Sequence, residues 1–315
     1  MTDAIESAKR TAAQRAVADH FSPDFRFVGI GSGTTIIYVV EAIKAACASS
    51  GSSSSISFVP TGYQSRQVII KAGLTPVAFD SLPEEVVLDV AFDGADEVDE
   101  ALNCIKGGGA CLFQEKLVAE RARKFVCVAD YRKDQSRLLT KWPSIPIEVC
   151  PLAVHTVLHS LRLLGSPTPT VRTGLLAKTG PLKTDQDFFI IDAPFPSPLL
   201  TSSDISAGKG KGDGSDDTWE VQELARRIKG ITGVLEVGLF CGLDGTQAQE
   251  IGGGRQGGQR PVAVYFGMED GNVRVRTVEG VKGVEAVDVK AEEFLEPGDV
   301  EAVKAVDKAV EGMEK

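Results

Sequence analysis

The sequence predicts an α/β protein: a largely parallel, doubly wound sheet accompanied by a second, smaller α+β domain. Three observations carry this expectation. Short apolar runs alternate with stretches of helical periodicity between Ile5 and Ala129, which is the pattern of successive βαβ units. The order of elements then changes beyond Pro143 and Pro146. With 315 residues the chain also exceeds the usual size of one domain, so two compact units are expected.

Taken in order, residues 5–20 read as an amphipathic helix and residues 25–30 (FRFVGI) as a short buried strand ending in glycines. Gly31-Ser32-Gly33 turns the chain into a helix over 34–47, which runs out into a serine-rich stretch at 49–55 read as an exposed loop. A strand at 56–59, a helix at 63–72 stopped by Gly73, and strands at 75–78 and 86–92 follow. An acidic, glycine-containing turn precedes a helix at 112–124 and a strand at 125–129. The second half reads as a strand at 147–149, a helix at 152–164, strands near Val171 and at 188–191, a helix at 219–229 and a strand at 234–239. Residues 201–217 and 244–259, dominated by Gly, Ser, Asp and Gln, read as mobile loops. Residues 262–266 and 273–277 form a hairpin pattern around Asp270-Gly271, and 300–315 read as an exposed terminal helix.

Composition narrows the function classes. A hydrophobic share of 43% and a charged share of 25% are those of a globular protein, not of a disordered or fibrous one. The formal net charge of -10 argues against nucleic acid or an anionic membrane as partner, since both are held by clustered Lys and Arg. A phosphorylated substrate would instead need a local cationic pocket. No apolar run approaches the roughly 18 residues of a membrane span, and Met1 to Arg10 lacks the apolar centre of a signal peptide, so a cytoplasmic location is expected. Cys47, Cys104, Cys111, Cys127, Cys150 and Cys241 are scattered without a C-x-x-C pair and are read as reduced thiols.

Three motifs have chemical potential. Gly29-Ile30-Gly31-Ser32-Gly33-Thr34-Thr35 follows a strand and opens a helix, where backbone N–H groups, the positive end of the helix dipole and the hydroxyls can hold an anion. It lacks both the G-x-G-x-x-G spacing and a P-loop Lys, and a plain strand-to-helix turn is the other reading. Asp93-Gly94-Ala95-Asp96-Glu97-Val98-Asp99-Glu100 follows a buried strand, so Asp93 and Asp96 fall at its carboxyl end, where open α/β sheets bind ligands. A solvated acidic turn is the alternative, and an EF-hand fails because Val98 and Cys104 stand where its Gly and Glu belong. Lys106-Gly107-Gly108-Gly109 sets three mobile peptide units beside a fixed positive charge, giving either an anion-stabilising pocket or a hinge. His155 and His159 have helical metal-ligand spacing but no His-Glu motif around them, so a partly buried helical face is expected and no metal.

Residues 92–137 (FDGADEVDEALNCIKGGGACLFQEKLVAERARKFVCVADYRKDQSR) resemble the central signature of type A ribose-5-phosphate isomerases, with D-G-A-D-E, K-G-G-G, E-K and V-A-D-x-x-K in the family's order and spacing. GIGSGTT, VPTGYQSRQ, residues 228–240 and Ala8-Lys9-Arg10 are similar to the family as well. The resemblance implies interconversion of D-ribose 5-phosphate and D-ribulose 5-phosphate, a step of the non-oxidative pentose phosphate pathway, without metal or cofactor. It implies Glu115 as the proton-transferring base, and Asp93, Asp96 and Lys106 along the reacting end of the sugar. Ser32, Gly33, Thr34, Thr35 and Lys133 would bind substrate and its phosphate, with Lys9 a further candidate, and Gly107, Gly108 and Gly109 would offer N–H donors. The implied fold is a Rossmann-like catalytic domain over 1–145, a ferredoxin-like α+β domain with insertions over 146–259, a return to the first domain over 260–299 and the terminal helix. A homodimer or homotetramer is implied too.

The reaction removes a proton beside a carbonyl and returns it to the neighbouring carbon through an enediolate, so a base and an oxyanion stabiliser suffice. General acid–base catalysis is worth roughly 10²–10⁴-fold. The helix dipole would lower the pKa of Glu115, and desolvation with repulsion from Asp93 or Asp96 is expected to raise it. Two rivals remain: a sugar-phosphate sensor module, disfavoured by the lack of a DNA-binding segment, and a CoA-transferase-like enzyme, disfavoured by the pairing of D-G-A-D-E with K-G-G-G.

Overall fold

Ala8, Ala12, Ala13, Ala16 and Val17 recur at the spacing of one helical face, and all are buried on α1 (Thr2–His20). This computed structural model describes residues 2–50, 56–174, 179–251, 257–284, 301 and 304–305. After α1 come β1 (Phe27–Ile30), α2 (Thr34–Ser50), β2 (Ser57–Pro60), α3 (Tyr63–Lys71), β3 (Thr75–Pro76) and β4 (Val90–Asp93). Next are β5 (Glu97–Val98), β6 (Cys104–Ile105), α4 (Leu112–Glu120), β7 (Phe125–Asp130), β8 (Ile145–Val149), α5 (Val154–Leu163), β9 (Thr170–Val171) and β10 (Phe189–Ala193). The remainder are α6 (Ser202–Ser206), α7 (Val221–Lys229), β11 (Val234–Val237), β12 (Leu239–Phe240), α8 (Gly245–Ile251), β13 (Ala263–Gly267), β14 (Val273–Thr277) and β15 (Gly280–Val284).

The chain divides into two units. Unit one holds residues 1–95, 114–134 and those described from 243 onward; unit two holds 96–113 and 135–242. In unit one a single sheet runs in the order β15-β14-β13-β7-β4-β1-β2-β3. Its strands from β13 to β3 are parallel, and β14 and β15 form an antiparallel edge. Val28 and Ile30 of β1 join one apolar cluster with Ala12, Ala16, Ile36 and Val40 of α1 and α2. Gly29 points to the opposite face, where an added Cβ would lie 2.6 Å from Val118 Cγ1 of α4, so glycine is what lets α4 settle on the sheet. Helices therefore cover both faces, as a doubly wound sheet requires.

In unit two the antiparallel sheet β11-β8-β10-β9, with α5 after β8 and α7 after β10, has the βαββαβ order of a ferredoxin-like domain. A small sheet β12-β6-β5 accompanies it. The strand expected over 234–239 is two strands, β11 and β12, parted at Gly238. A Cβ there would meet the Lys106 carbonyl oxygen at 2.3 Å and that of Pro146 at 2.8 Å, so the close crossing of three backbones dictates the break.

Several expectations change. The strand expected over 86–92 begins only at Val90, and β5, β6 and β15 come in addition. The 201–217 stretch is held, not loose: α6 has a Thr201 cap, and buried Asp204 accepts from both Arg137 and Lys209. Residues 245–251 of the other stretch form α8. Residues 96–113 group with unit two because β6 pairs with β12, whereas the domain boundary was expected near 145. Residues 243–251 and 257–259 group with unit one, where the Gln259 side chain donates to Glu120 Oε1 at 2.6 Å. Gly51 to Ser55 and most of the expected terminal helix over 300–315 lie outside the described residues.

Candidate active site

In unit one the β1–α2 turn and the end of β4 are built around each other. A Cβ on Gly31 would fall 1.9 Å from Asp93 Oδ1, so the carboxylate of Asp93 occupies space that only a glycine leaves open. The backbone N–H groups of Gly94 (2.7 Å) and Ser32 (3.2 Å) both donate to Asp93 Oδ1. The Gly33 N–H donates to Gln64 Oε1 at 3.1 Å, and the Ser32 and Thr61 hydroxyls lie 3.0 Å apart. The expected anion cradle thus already gives its Ser32 and Gly33 amides to protein acceptors. What the sequence reading left open is resolved at Asp93, Glu97 and Asp99: all are buried, which rejects a solvated acidic turn.

Thr34 and Thr35 begin α2 and are buried. Lys9, buried on α1, donates to Thr34 Oγ1 at 2.8 Å and pairs with Glu6 at 3.2 Å. Buried Asp130 ends β7 and accepts two bonds from the Arg132 guanidinium, at 2.8 and 2.9 Å, and one from the Arg132 N–H at 3.1 Å. Burial alone would raise its pKa, yet the Arg132 bonds and the charges of Arg132, Lys9 and Lys133 hold it below the usual carboxylate range. In unit one the charges of Lys9, Arg132 and Lys133 thus all act on one carboxylate. The sequence reading missed Arg132, which lies inside the V-A-D-x-x-K motif.

Glu115 stands in the first turn of α4, only 5% exposed, with Lys116 buried beside it in sequence. The Gln114 side chain donates to the Pro60 carbonyl at the end of β2 at 2.8 Å. The same helix begins in unit two, where buried Glu148 of β8 accepts the Phe113 N–H at 3.1 Å, placing a carboxylate at the positive end of α4.

In unit two, Lys106 follows β6 and is buried. Its N–H donates to the Gly238 carbonyl at 2.9 Å, and its Nζ lies 5.4 Å from the centre of the Phe240 ring. Gly107 has φ +104°, and the Ala110 N–H closes a turn onto its carbonyl at 3.1 Å. Asp96 Oδ2 accepts the Gly108 N–H at 2.8 Å, so Asp96 and the glycine loop are joined directly. On the carbonyl side of that loop, Arg172 donates to Gly107 O and Gly108 O, both at 2.9 Å. Nothing in the local sequence marks Arg172, which is 65 residues from Gly107. His155 and His159 are both exposed, not partly buried, and among the described residues no group of three or more His, Cys, Asp or Glu side chains could hold a metal ion.

The family model for ribose 5-phosphate isomerase A (phosphoriboisomerase A) matches residues 57–251. The chain is 46% identical over 279 residues to a ribose-5-phosphate isomerase of Mycosarcoma maydis, covering 88% of this chain and 82% of that one. It is 41% identical over 281 residues to that of Schizosaccharomyces pombe, covering 89% and 86%. Among solved structures it is similar to a D-ribose-5-phosphate isomerase in complex with phospho-erythronic acid, with TM-score 0.67 and 30% identity over 89% of this chain and 99% of that one. A ribose 5-phosphate isomerase A from Methanocaldococcus jannaschii gives TM-score 0.65 and 28% identity, covering 89% and 99%.

Proposed function

The chain belongs to the ribose 5-phosphate isomerase A family, and we propose that Glu115 carries the proton in its interconversion of ribose 5-phosphate and ribulose 5-phosphate. The observation that carries this assignment is a carboxylate only 5% exposed in the first turn of α4, at the E-K position of the family signature. Starting from the open-chain aldose, Glu115 takes the proton from carbon 2 as negative charge develops on the carbonyl oxygen at carbon 1. The resulting enediolate accepts the proton back at carbon 1, while the hydroxyl proton passes from the oxygen on carbon 2 to that on carbon 1. Glu115 ends as it began, and atoms and charge balance.

Lys106 and the N–H groups of the glycine loop stabilise the enediolate oxygen; in such sites one preorganised donor is worth about 2.7–4 kcal/mol. Asp96, bonded to Gly108, is assigned to the same reacting end. Asp93 is assigned to ring opening or to moving the hydroxyl proton. Its amide cradle fixes one oxygen and leaves the orientation of the carboxylate set by the protein. Lys9, Thr34, Thr35 and Lys133, with Ser32 and Gly33 of the same turn, are assigned to the substrate and its phosphate, supported by the positive field around Asp130. We further assign the protein to the cytosol as a homodimer or homotetramer; the six free thiols agree with a reducing compartment, and light scattering after gel filtration tests the assembly.

The test is ribulose 5-phosphate formation in EDTA by the wild-type chain and by Glu115→Gln. The expected result is robust wild-type turnover and a loss of about 10²–10⁴-fold in a folded variant, the range for a general base. An active Glu115→Gln removes the assigned base and leaves the isomerase. Phospho-erythronic acid should compete with substrate, because its carboxylate resembles the enediolate and its phosphate is shared.

A further inference from the structure

We infer that Arg172 and Asp192, remote in sequence from every signature motif, form a positioning pair that sets the amide edge of the Lys106–Gly109 turn for catalysis. The inference rests on the assignment of that turn and Asp96 to the reacting end, and all the contacts involved lie within unit two.

Arg172 is 7% exposed, so its charge must be matched where it stands. Asp192 of β10 accepts from its Nε at 2.8 Å and its Nη2 at 2.5 Å, a two-pronged pair that fixes the plane of the guanidinium. The backbone at Arg172 is fixed as well: its N–H donates to Ile190 O at 2.8 Å, and its carbonyl accepts from Leu182 at 2.9 Å. From this platform Nη1 reaches two successive carbonyls, Gly107 O and Gly108 O, each at 2.9 Å.

Peptide geometry turns that hold into function. In a planar trans peptide the C=O and the N–H of the next residue point in opposite directions. Holding Gly107 O and Gly108 O toward Arg172 therefore directs the N–H groups of Gly108 and Gly109 to the opposite edge. The Gly108 N–H is found donating to Asp96 Oδ2 at 2.8 Å. Charge alternates along this line, from the Asp192 carboxylate through the Arg172 guanidinium and the Gly107–Gly108 peptide to the Asp96 carboxylate. Each link polarises the next, which strengthens the amide donors. Residues 107–109 carry no side chains, so bonds to their peptide groups fix the planes, and Arg172 supplies two of them beside those of Ala110 and Asp96. Lysine cannot replace this arginine, because a single ammonium lacks the planar fork that spans Asp192 and both carbonyls.

The experiment is steady-state kinetics with ribose 5-phosphate for wild type, Arg172→Met, Arg172→Lys, Asp192→Asn and the double variant Arg172→Met with Asp192→Asn, each checked for folding by circular dichroism. Arg172→Met is expected to lower kcat about 10- to 100-fold with KM within about 3-fold. That is less than the ~10²–10³-fold cost of losing an oxyanion donor itself, because Arg172 acts through the turn. Arg172→Lys, which keeps the buried charge and guards against a variant that fails to fold, should still lose at least about 5-fold in kcat by the same reasoning. Asp192→Asn should lose less than Arg172→Met, and the double variant no more than Arg172→Met alone. Guanidinium ion at low millimolar concentration should restore part of kcat to Arg172→Met, and an equal concentration of NaCl should not. Full kcat in folded Arg172→Lys and Arg172→Met, or a rise confined to KM, overturns the inference while leaving the isomerase assignment intact. An inactive wild type overturns that assignment instead.

Discussion

At the scale of single residues, the site depends on glycines that leave room for carboxylates and on carboxylates that organise amides. Gly31→Ala puts a methyl group where Asp93 Oδ1 lies, so Asp93 must leave the N–H groups of Ser32 and Gly94. The expected outcome is a kcat at least about 10-fold lower, with a stability cost of about 1–3 kcal/mol from overpacking. Kinetics and urea melts of the same preparation check both parts. Gly33→Ala is the contrast: a Cβ there meets nothing within 4 Å, but φ is +98°, so its cost is backbone strain of about 1–3 kcal/mol without displacement of Asp93.

At the scale of elements, the 201–217 stretch shows how composition misleads. Its Gly, Ser and Asp content reads as a loose loop, yet Asp204 accepts from Arg137, Lys209 and the Thr201 hydroxyl. The bond from Arg137 holds the Asp204 carboxyl well below the usual carboxylate range, against the upward push of burial. Asp204→Ala is expected to cost about 2–3 kcal/mol, short of the ~3–5 of a fully isolated buried charge because Glu100 still reaches Arg137 at 2.6 Å. It should also open a proteolytic site near residues 202–217, visible by mass spectrometry of a limited digest. The alternating β and α elements were legible because periodicity is local, and so were the family's signature motifs, which are contiguous. The two-residue strands β6 and β12 were not, since the pairing of Cys104 and Ile105 with Phe240 and Leu239 joins positions far apart along the chain. The burial of Glu97 is illegible for the same reason: the N–H groups of Thr140, Lys141 and Trp142 that donate to its Oε1 lie more than forty residues away. Arg172 belongs to this class as well, while Arg132 could have been found by asking which cation faces the Asp of V-A-D-x-x-K.

At the scale of the whole molecule, the two units should answer acid in opposite senses. In unit one, burial and the Lys124 charge lower the pKa of His20 from 6.5 to about 4, against the pull of Asp19. The unfolded chain therefore binds the proton first, and unit one loses on the order of 3 kcal/mol as pH falls from about 6.5 to about 4. In unit two, burial raises Asp99 from 3.8 to about 6 despite its bonds from Asn103 and Ala101, and Glu97 and Glu148 are raised too. There the folded form binds the proton first, so unit two gains stability as pH falls from about 6 to about 4. Both tryptophans, Trp142 and Trp219, lie in unit two, so their fluorescence follows that unit alone whereas circular dichroism follows both. Between pH 6.5 and 4.5 the urea midpoint by fluorescence should rise relative to that by circular dichroism, and a parallel fall of the two would refute the opposition. The division of the chain also sets a schedule for biosynthesis. Strand β7 pairs with β13 through Val126 and Ala263, so 137 residues must be added before that edge is covered. At about 5–20 residues per second, this is roughly 7–27 s during which FVCVAD rides on the ribosome as an open apolar template, while the larger segment of unit two, residues 135–242, is made. Nascent chains halted before residue 263 are therefore expected to recruit chaperones, and release of those chaperones should coincide with emergence of β13 from the exit tunnel.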